Sequence, residues 1–168
     1  ENLEAVDTVG ETVEAVTDEV ERQDATAVAH LTTRMRPKDR LDVINVAKKL
    51  TDDGVPLVVV STQLIEAGVD ISFEAVYRDF APMDSIVQAA GRCNRSFESE
   101  RGEVVVWWLA APEGKERTPS KAVYDFGDSL LPVAGESIDE AREADERGLR
   151  GKRVSRDAVE RYYEKLRD

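Results

Sequence analysis

Two short runs of uninterrupted apolar residues constrain the fold of this chain more than any other feature. Residues 57–60 and 104–109 are rich in β-branched side chains and do not alternate with polar ones. That pattern is typical of strands covered on both faces in a parallel sheet. Helical spacing of apolar residues occurs at 8–23, from Pro37 onward and from near Asp84. Strands that alternate with helices predict an α/β fold with right-handed crossovers and an open parallel sheet.

The same patterns organise the rest of the chain. We predict further strands at 3–6, 27–31 and 75–77, and a helix at 155–166. Asp52-Asp53-Gly54 should end the helix that begins at Pro37. Residues 136–153 are densely charged with little periodicity, which predicts a solvated face, with a hinge to a C-terminal accessory domain as the alternative. We therefore expect one domain at residues 1–111, followed by a linker and a mainly helical C-terminal extension at 112–168.

Composition excludes several classes of site and partner. The 168 residues include one cysteine, Cys93, and one histidine, His30, so neither a thiolate cluster nor a His-rich metal centre can form. We predict no metal site within the chain. No apolar run approaches the ~20 residues that span a bilayer. The sequence therefore predicts a cytoplasmic protein without a membrane partner.

The net charge of −12 argues against nonspecific binding of nucleic acid, although a local basic cluster can still bind phosphates. One such cluster comprises Arg34, Arg36, Lys38 and Arg40. Residues 1–24 hold nine acids and one base. Only 7 of the 23 basic residues are lysines. An acidic surface poor in lysine suggests a halophilic prokaryote, whose salt would screen the surplus charge.

A first motif spans residues 60–71, Val-Ser-Thr-Gln-Leu-Ile-Glu-Ala-Gly-Val-Asp-Ile, at the end of a predicted strand. Ser61 and Thr62 would place two hydroxyls and free backbone N–H groups at the carboxyl edge of a parallel sheet, where such folds bind ligands. Gly68 permits close approach of the backbone to a ligand, and Asp70 follows it. The motif predicts a ligand site at this edge.

A second motif follows about 20 residues later at 88–95, Gln-Ala-Ala-Gly-Arg-Cys-Asn-Arg. Arg92 and Arg95 are three residues apart, so at a helix end they project to one side. Two guanidinium groups placed in this way suit a polyphosphate, because each can donate two charge-assisted hydrogen bonds.

In this order and spacing the two motifs resemble motifs V and VI of superfamily 2 helicases. Together with residues 31–40, 77–82 and 84–88, they make the chain similar to the CRISPR-associated helicase-nuclease of type I systems, over about residues 5–110. The resemblance implies a RecA-like open parallel sheet with helices on both faces. It also implies that the chain is the second such domain of an ATP-dependent translocase on single-stranded DNA.

The resemblance further implies roles for individual residues. Arg92 and Arg95 would be arginine fingers, and Gln88 would contact the γ-phosphate or the attacking water. The residues bordering the nucleotide would be Glu66, Gly68, Asp70 and Gly91, with a role in bracing the motif loop as the alternative for Glu66. The residues contacting phosphates of the tracked strand would be Ser61, Thr62, Thr33 and Arg34.

The sequence lacks other parts of such a motor. No G-x-x-x-x-G-K-[ST] sequence occurs, so ATP with Mg²⁺ would be bound mainly by a first RecA-like domain, and this chain alone should not hydrolyse ATP. The segment 139–142, Asp-Glu-Ala-Arg, follows no hydrophobic strand and is rejected as a magnesium-binding motif. The implied partners are the first RecA-like domain and the HD nuclease domain of a parent chain, single-stranded DNA and the Cascade complex.

Two alternatives stay open at this point. The chain could be half of another superfamily 2 helicase that acts on DNA or RNA, which an HD nuclease encoded upstream in the same reading frame would exclude. It could also be a non-catalytic helicase-like interaction module. Gln88, Arg92 and Arg95 argue against a pure scaffold, which needs no such trio.

Overall fold

The computed structural model describes residues 8–63, 70–93, 102–124, 130–144 and 152–167. In this part of the chain the strands are β1 (Ala27–Leu31), β2 (Leu57–Ser61), β3 (Ala75–Asp79) and β4 (Glu103–Trp107). The helices are α1 (Thr8–Gln23), α2 (Pro37–Asp52), α3 (Met83–Ala90), α4 (Pro119–Tyr124), α5 (Leu130–Ala144) and α6 (Lys152–Lys165). None of these helices is both long and apolar enough to cross a membrane.

The predicted α/β class is confirmed, and the strands pair in parallel. β1 pairs with β2, with Ala27 opposite Leu57, and β3 pairs with β4, with Ala75 opposite Glu103. Among the described residues these are two sheets of two strands each. The predicted strand at residues 3–6 lies outside the described residues. The turn after α2 is confirmed, because Gly54 has a φ of 74°, a conformation that glycine adopts without steric cost.

The chain folds as two compact units. Unit 1 comprises Glu1–Glu74 and Arg92–Gly102, and unit 2 comprises Ala75–Gly91 and Glu103–Asp168. The predicted division at residue 111 stays a prediction.

The core of unit 1 lies between α2 and one face of the β1–β2 sheet. Ala47 and Ile71 are buried there, and the partly buried side chains packed against them are Ile44, Leu57, Val59 and Phe73. On the other face Val58 and Val60 are 50% and 52% exposed. The expected cover on both faces of residues 57–60 is therefore absent from the described residues, because α1 packs mainly against α2.

The core of unit 2 combines α3 with the C-terminal helices. Its buried side chains come from two stretches of chain: Phe80, Ala81, Met83 and Ile86 from the first, and Leu131, Ala134, Ala141, Ala158 and Tyr162 from the second. The expectation of a solvated face at 136–153 is therefore wrong for the part of α5 within it, which buries Ser137 and Ala141. Because Ser137 and Ala141 are small and weakly hydrophobic, the helical periodicity of buried positions is hard to recognise among the charged residues beside them.

A hydrogen-bond network ties the segment after β4 to the end of β3. One oxygen of Asp79 accepts hydrogen bonds from the backbone N–H of Phe80 at 2.9 Å and of Leu109 at 3.0 Å. Its other oxygen accepts from the buried hydroxyl of Ser120 at 2.8 Å. The Arg78 guanidinium donates to the hydroxyl of Tyr124. Helix α4 is therefore anchored to the sheet of unit 2.

Candidate nucleotide and nucleic-acid site

The carboxyl end of β2 presents Ser61 and Thr62. Ser61 pairs with Leu31 in the sheet, and the N–H of Thr62 donates to the carbonyl of Leu31 at 3.1 Å. The Ser61 hydroxyl donates to the carbonyl of Thr62 at 2.8 Å, while the Thr62 side chain is exposed. The backbone of Thr62 is thus held against β1, while the residue as a whole remains exposed.

Thr33 and Arg34 lie in a tight turn after β1, and both are exposed. Thr32 organises the turn, since its carbonyl accepts from Met35 N at 3.1 Å and its hydroxyl from Arg34 N at 3.4 Å. Because β1 and β2 are parallel, their carboxyl ends meet at one edge of the sheet. The fold therefore brings all the predicted nucleic-acid contacts together: Thr33, Arg34, Ser61 and Thr62.

Arg36 of the predicted basic cluster forms an ion pair with Asp39. Arg36 precedes the first turn of α2 and donates to both carboxylate oxygens of Asp39, at 2.7 and 2.9 Å. This hydrogen bonding lowers the pKa of Asp39 and raises that of Arg36. The pairing reduces the positive charge that Arg36 offers to a ligand. The three-residue spacing at the helix start was a signal for it in the sequence.

Asp70 and Arg92 are both held in unit 1. Asp70 is exposed, and the next residue, Ile71, is 3% exposed and anchors this segment in the core. The N–H of Phe73 donates to the carbonyl of Arg92 at 2.9 Å. Phe73 and Cys93 form an isolated parallel β-bridge. The backbone of Arg92 therefore runs beside the segment that follows Asp70.

Gln88 and Gly91 belong to unit 2, on the exposed side of α3. Met83, Ile86 and Ala89 are buried, whereas Val87, Gln88 and Gly91 are exposed. The N–H of Gly91 donates to the carbonyl of Val87 at 2.9 Å and ends the helix. Gln88, the predicted catalytic side chain, therefore lies on the exposed side of α3, opposite the side that packs into the core of unit 2.

The remaining predicted site residues are Glu66, Gly68 and Arg95, which lie outside the described residues. Within the described part of the chain, no group of three or more His, Cys, Asp or Glu side chains could hold a metal ion. Taken separately, the guanidinium of Arg92 in unit 1 and the side-chain NH₂ of Gln88 in unit 2 can each donate hydrogen bonds to phosphate oxygens.

Sequence reasoning missed the C-terminal helices as neighbours of α3. Tyr162 of α6 is 2% exposed and shares a core with Met83 and Ile86 of α3. The sequence did contain a signal for this packing. Ala134, Ser137 and Ala141 are spaced so that they lie on one face of a helix, although these small side chains are only weakly hydrophobic.

A family profile described as "CRISPR-associated nuclease/helicase Cas3, C-terminal" matches residues 2–98. This span is more than half of the chain and contains every predicted site residue. The chain belongs to this family. The resemblance drawn from the two motifs is therefore confirmed.

Two relatives carry the name CRISPR-associated nuclease/helicase Cas3. The protein from the halophilic archaeon Haloferax volcanii is 51% identical over 110 residues, which cover 61% of this chain and 12% of that protein. The protein from Methanothermobacter thermautotrophicus is 36% identical over 80 residues, which cover 48% of this chain and 10% of that protein. The chain thus spans about a tenth of the length of these relatives.

Solved structures show the same fold. The crystal structure of T. fusca Cas3-ATP matches with a TM-score of 0.62 and 21% identity, over 93% of this chain and 19% of that chain. That of T. fusca Cas3-ADP matches with a TM-score of 0.60 and 22% identity, again over 93% of this chain and 19% of that chain. The similarity confirms the predicted fold class.

Proposed function

We propose that this chain is the second RecA-like motor domain of an ATP-dependent translocase on single-stranded DNA that acts in type I CRISPR interference. The observation that carries the proposal is the family match over residues 2–98, because that span contains both motifs. The names of the relatives, nuclease/helicase, and of the T. fusca structures, with ATP and ADP, support a motor driven by a nucleotide.

Arg92 and Arg95 act as arginine fingers in this proposal. ATP bound on a first RecA-like domain supplies the phosphoryl group, which passes to water. Negative charge spreads over the γ-phosphate oxygens in the transition state, and the two guanidinium groups donate hydrogen bonds to them. Gln88 orients the attacking water or the γ-phosphate. Glu66, Gly68, Asp70 and Gly91 border the nucleotide.

The edge of the β1–β2 sheet contacts the tracked strand. The hydroxyls of Thr62 and Thr33 donate to phosphate oxygens, that of Ser61 does so after it turns away from the carbonyl of Thr62, and Arg34 adds a charge-assisted contact. Such contacts position a strand without reading its sequence, as a translocase requires. Support comes from the parallel pairing of β1 with β2, which gathers these side chains at one edge.

The partners of this domain are the first RecA-like domain and the HD nuclease domain of a parent chain, together with the Cascade complex. Movement follows from closure of the two RecA-like domains on ATP and reopening after hydrolysis. Mg²⁺ neutralises phosphate charge and is held by the first domain.

The test is ATPase activity of the longest natural form of the protein, with and without single-stranded DNA, at salt concentrations up to molar levels. We expect turnover stimulated by DNA, and a loss of about 10³-fold or more in Arg92→Ala. Arg92→Lys should recover little, because an ammonium lacks the two-pronged donor geometry. In the same assay Arg34→Ala should raise the DNA concentration needed for half-maximal stimulation and weaken its salt dependence.

Arg156→Ala is the matched control, since Arg156 is exposed and pairs with Glu160 on the surface of α6. It should leave turnover unchanged. Turnover indifferent to Arg92, or no turnover in the longest form, would exclude the arginine-finger motor and favour a non-catalytic interaction module. Stimulation by RNA alone would favour another superfamily 2 helicase.

A further inference from the structure

Helix α3 is too short to hold its own position. It has eight residues, Met83–Ala90, and isolated helices of this length are unstable in water. Its orientation must therefore come from the contacts of its buried side, formed by Met83, Ile86 and Ala89. Gln88 on the opposite side moves with the helix as a rigid body.

The contacts of that buried side come from β3 with the segment that follows it and from the C-terminal helices. Met83 and Ile86 share one core with Leu131 and Ala134 of α5 and with Tyr162 of α6. Tyr162 is among the largest fully buried side chains, at 2% exposure. Burial raises the pKa of its hydroxyl, with a smaller contribution from the negative charge of Asp84 on α3. The shared core with Met83 and Ile86 brings α6 against α3 at this point.

Helices α5 and α6 are themselves joined by ion pairs. The Lys165 ammonium lies 2.8 Å from an oxygen of Glu140 and 3.3 Å from one of Glu136, and Arg161 lies 3.4 Å from Glu140. All three contacts cross from α6 to α5. The part of the surface behind α3 that contains Tyr162 is therefore a pair of helices joined both by core packing and by ion pairs.

We propose that this pair of helices sets the position of Gln88 in the motor, with Tyr162 as the positioning residue that acts through α3. The inference rests on the proposed function, since it concerns the reaction in which Gln88 takes part. Misplacement of a reacting group by about 1 Å can cost about 100-fold in rate, so loss of the Tyr162 ring should be visible in kcat.

The experiment is a double-mutant cycle on the DNA-stimulated ATPase of the longest natural form. We expect Gln88→Ala to lower kcat about 100-fold and Tyr162→Leu to lower it about 10-fold, with KM for ATP within about twofold of wild type. Because Tyr162 acts through Gln88, adding Tyr162→Leu to Gln88→Ala should cause no further loss. Tyr162→Phe keeps the ring and should restore the wild-type kcat.

Leu166→Ala is the matched control, since Leu166 lies four residues beyond Tyr162, is 41% exposed and is not part of the buried core. It should keep the wild-type kcat. If Tyr162→Leu does not fold, Ile86→Val replaces it, because the loss of one methylene from the buried side of α3 spares the fold. We expect it to lower kcat about threefold in the wild type and not at all in Gln88→Ala.

Additive losses in the cycle, or a wild-type kcat in folded Tyr162→Leu, would overturn the positioning role. If Arg92→Ala still abolishes turnover in that case, the proposed function stands without it. A wild-type kcat in Gln88→Ala would also overturn the inference, since no catalytic Gln88 would remain to be positioned. Activity retained in Arg92→Ala as well would overturn the proposed function itself.

Discussion

At the residue scale, the backbone conformation of Gly91 and the space around it show whether the fold itself requires a glycine there. Its φ of −64° is an ordinary helical value that any residue adopts. A Cβ built there would lie 3.4 Å from the carbonyl oxygen of Gln88, which is close to ordinary contact. The backbone therefore does not require glycine at this position. Under the proposed function, the space beside Gly91 is needed for the nucleotide.

We predict that Gly91→Ala keeps the stability of the protein but loses ATPase activity. The midpoint of thermal unfolding should stay within about 2 °C, because most surface changes cost under about 0.5 kcal/mol. DNA-stimulated turnover should fall about 10-fold or more, since an added methyl group would obstruct the approach of ATP. Wild-type turnover in a folded Gly91→Ala protein would remove Gly91 from the nucleotide site.

The matched control for this substitution is Gly54→Ala. Gly54 has a φ of 74° and no atom within 4 Å of an added Cβ, so the change strains the backbone without causing a clash. It should destabilise the fold by about 1 kcal/mol and leave turnover unaltered at a temperature where the protein is folded.

At the scale of elements, the contact between α5 and α6 combines a small-residue core with ion pairs at its rim. Hydrogen bonding by Lys165 is the main cause that lowers the pKa of Glu140, and hydrogen bonding by Glu140 and then Glu136 raises the pKa of Lys165. Lys165 and Glu140 are partly exposed, with side-chain exposures of 30% and 43%, so solvent screens each pair and its contribution to stability is modest. Their main effect is to make the free energy of unfolding depend on pH.

We predict that Glu140→Gln lowers the stability of the protein at neutral pH and that the difference disappears in acid. A carboxyl group with a depressed pKa contributes stability above its ordinary pKa, 4.5, and loses it as pH falls through the lower folded value. Lys165 has a raised pKa, so its contribution is present below its ordinary pKa, 10.5, and is lost only as pH rises through the higher folded value.

The measurement is the urea midpoint of wild type and Glu140→Gln at pH 7 and pH 3. The two midpoints should differ at pH 7 and converge at pH 3. Glu143→Gln is the control, because Glu143 is an exposed acid on the same helix. A difference that persists unchanged at pH 3 would mean that Glu140 stabilises the helix pair by packing and not by charge.

At the scale of the whole molecule, the surplus of negative charge is the main electrostatic feature. The chain has 35 acidic and 23 basic residues. Helix α1 concentrates part of this surplus, since it buries Val13 and Val20 and exposes acids on its outer face. Self-repulsion of this kind opposes the compact state at low salt. The relative from Haloferax volcanii fits a protein adapted to high salt.

We predict that the thermal midpoint rises by about 5 °C between 0.1 and 2 M KCl, because the screening length falls from about 10 Å at 0.1 M to about 3 Å at 1 M. A variant with Glu11, Glu14 and Glu21 changed to glutamine should be more stable than wild type at 0.1 M and should gain less from salt. Equal salt gains in both proteins would assign the effect to salting out of apolar surface and not to charge repulsion.

Local patterns in the sequence were sufficient for the spans of α1, α2, β1 and β2, because hydrophobic period and turn residues act over a few neighbours. The two motifs were likewise readable, and with them the family. Packing between distant segments decided the rest. Only the pairing of β1 with β2 brings Thr62 beside the turn of Arg34. Only the tertiary core reveals that Ser137 and Ala141 are buried and that Tyr162 lies behind the helix of Gln88, because small residues pack closely without a hydrophobic signature.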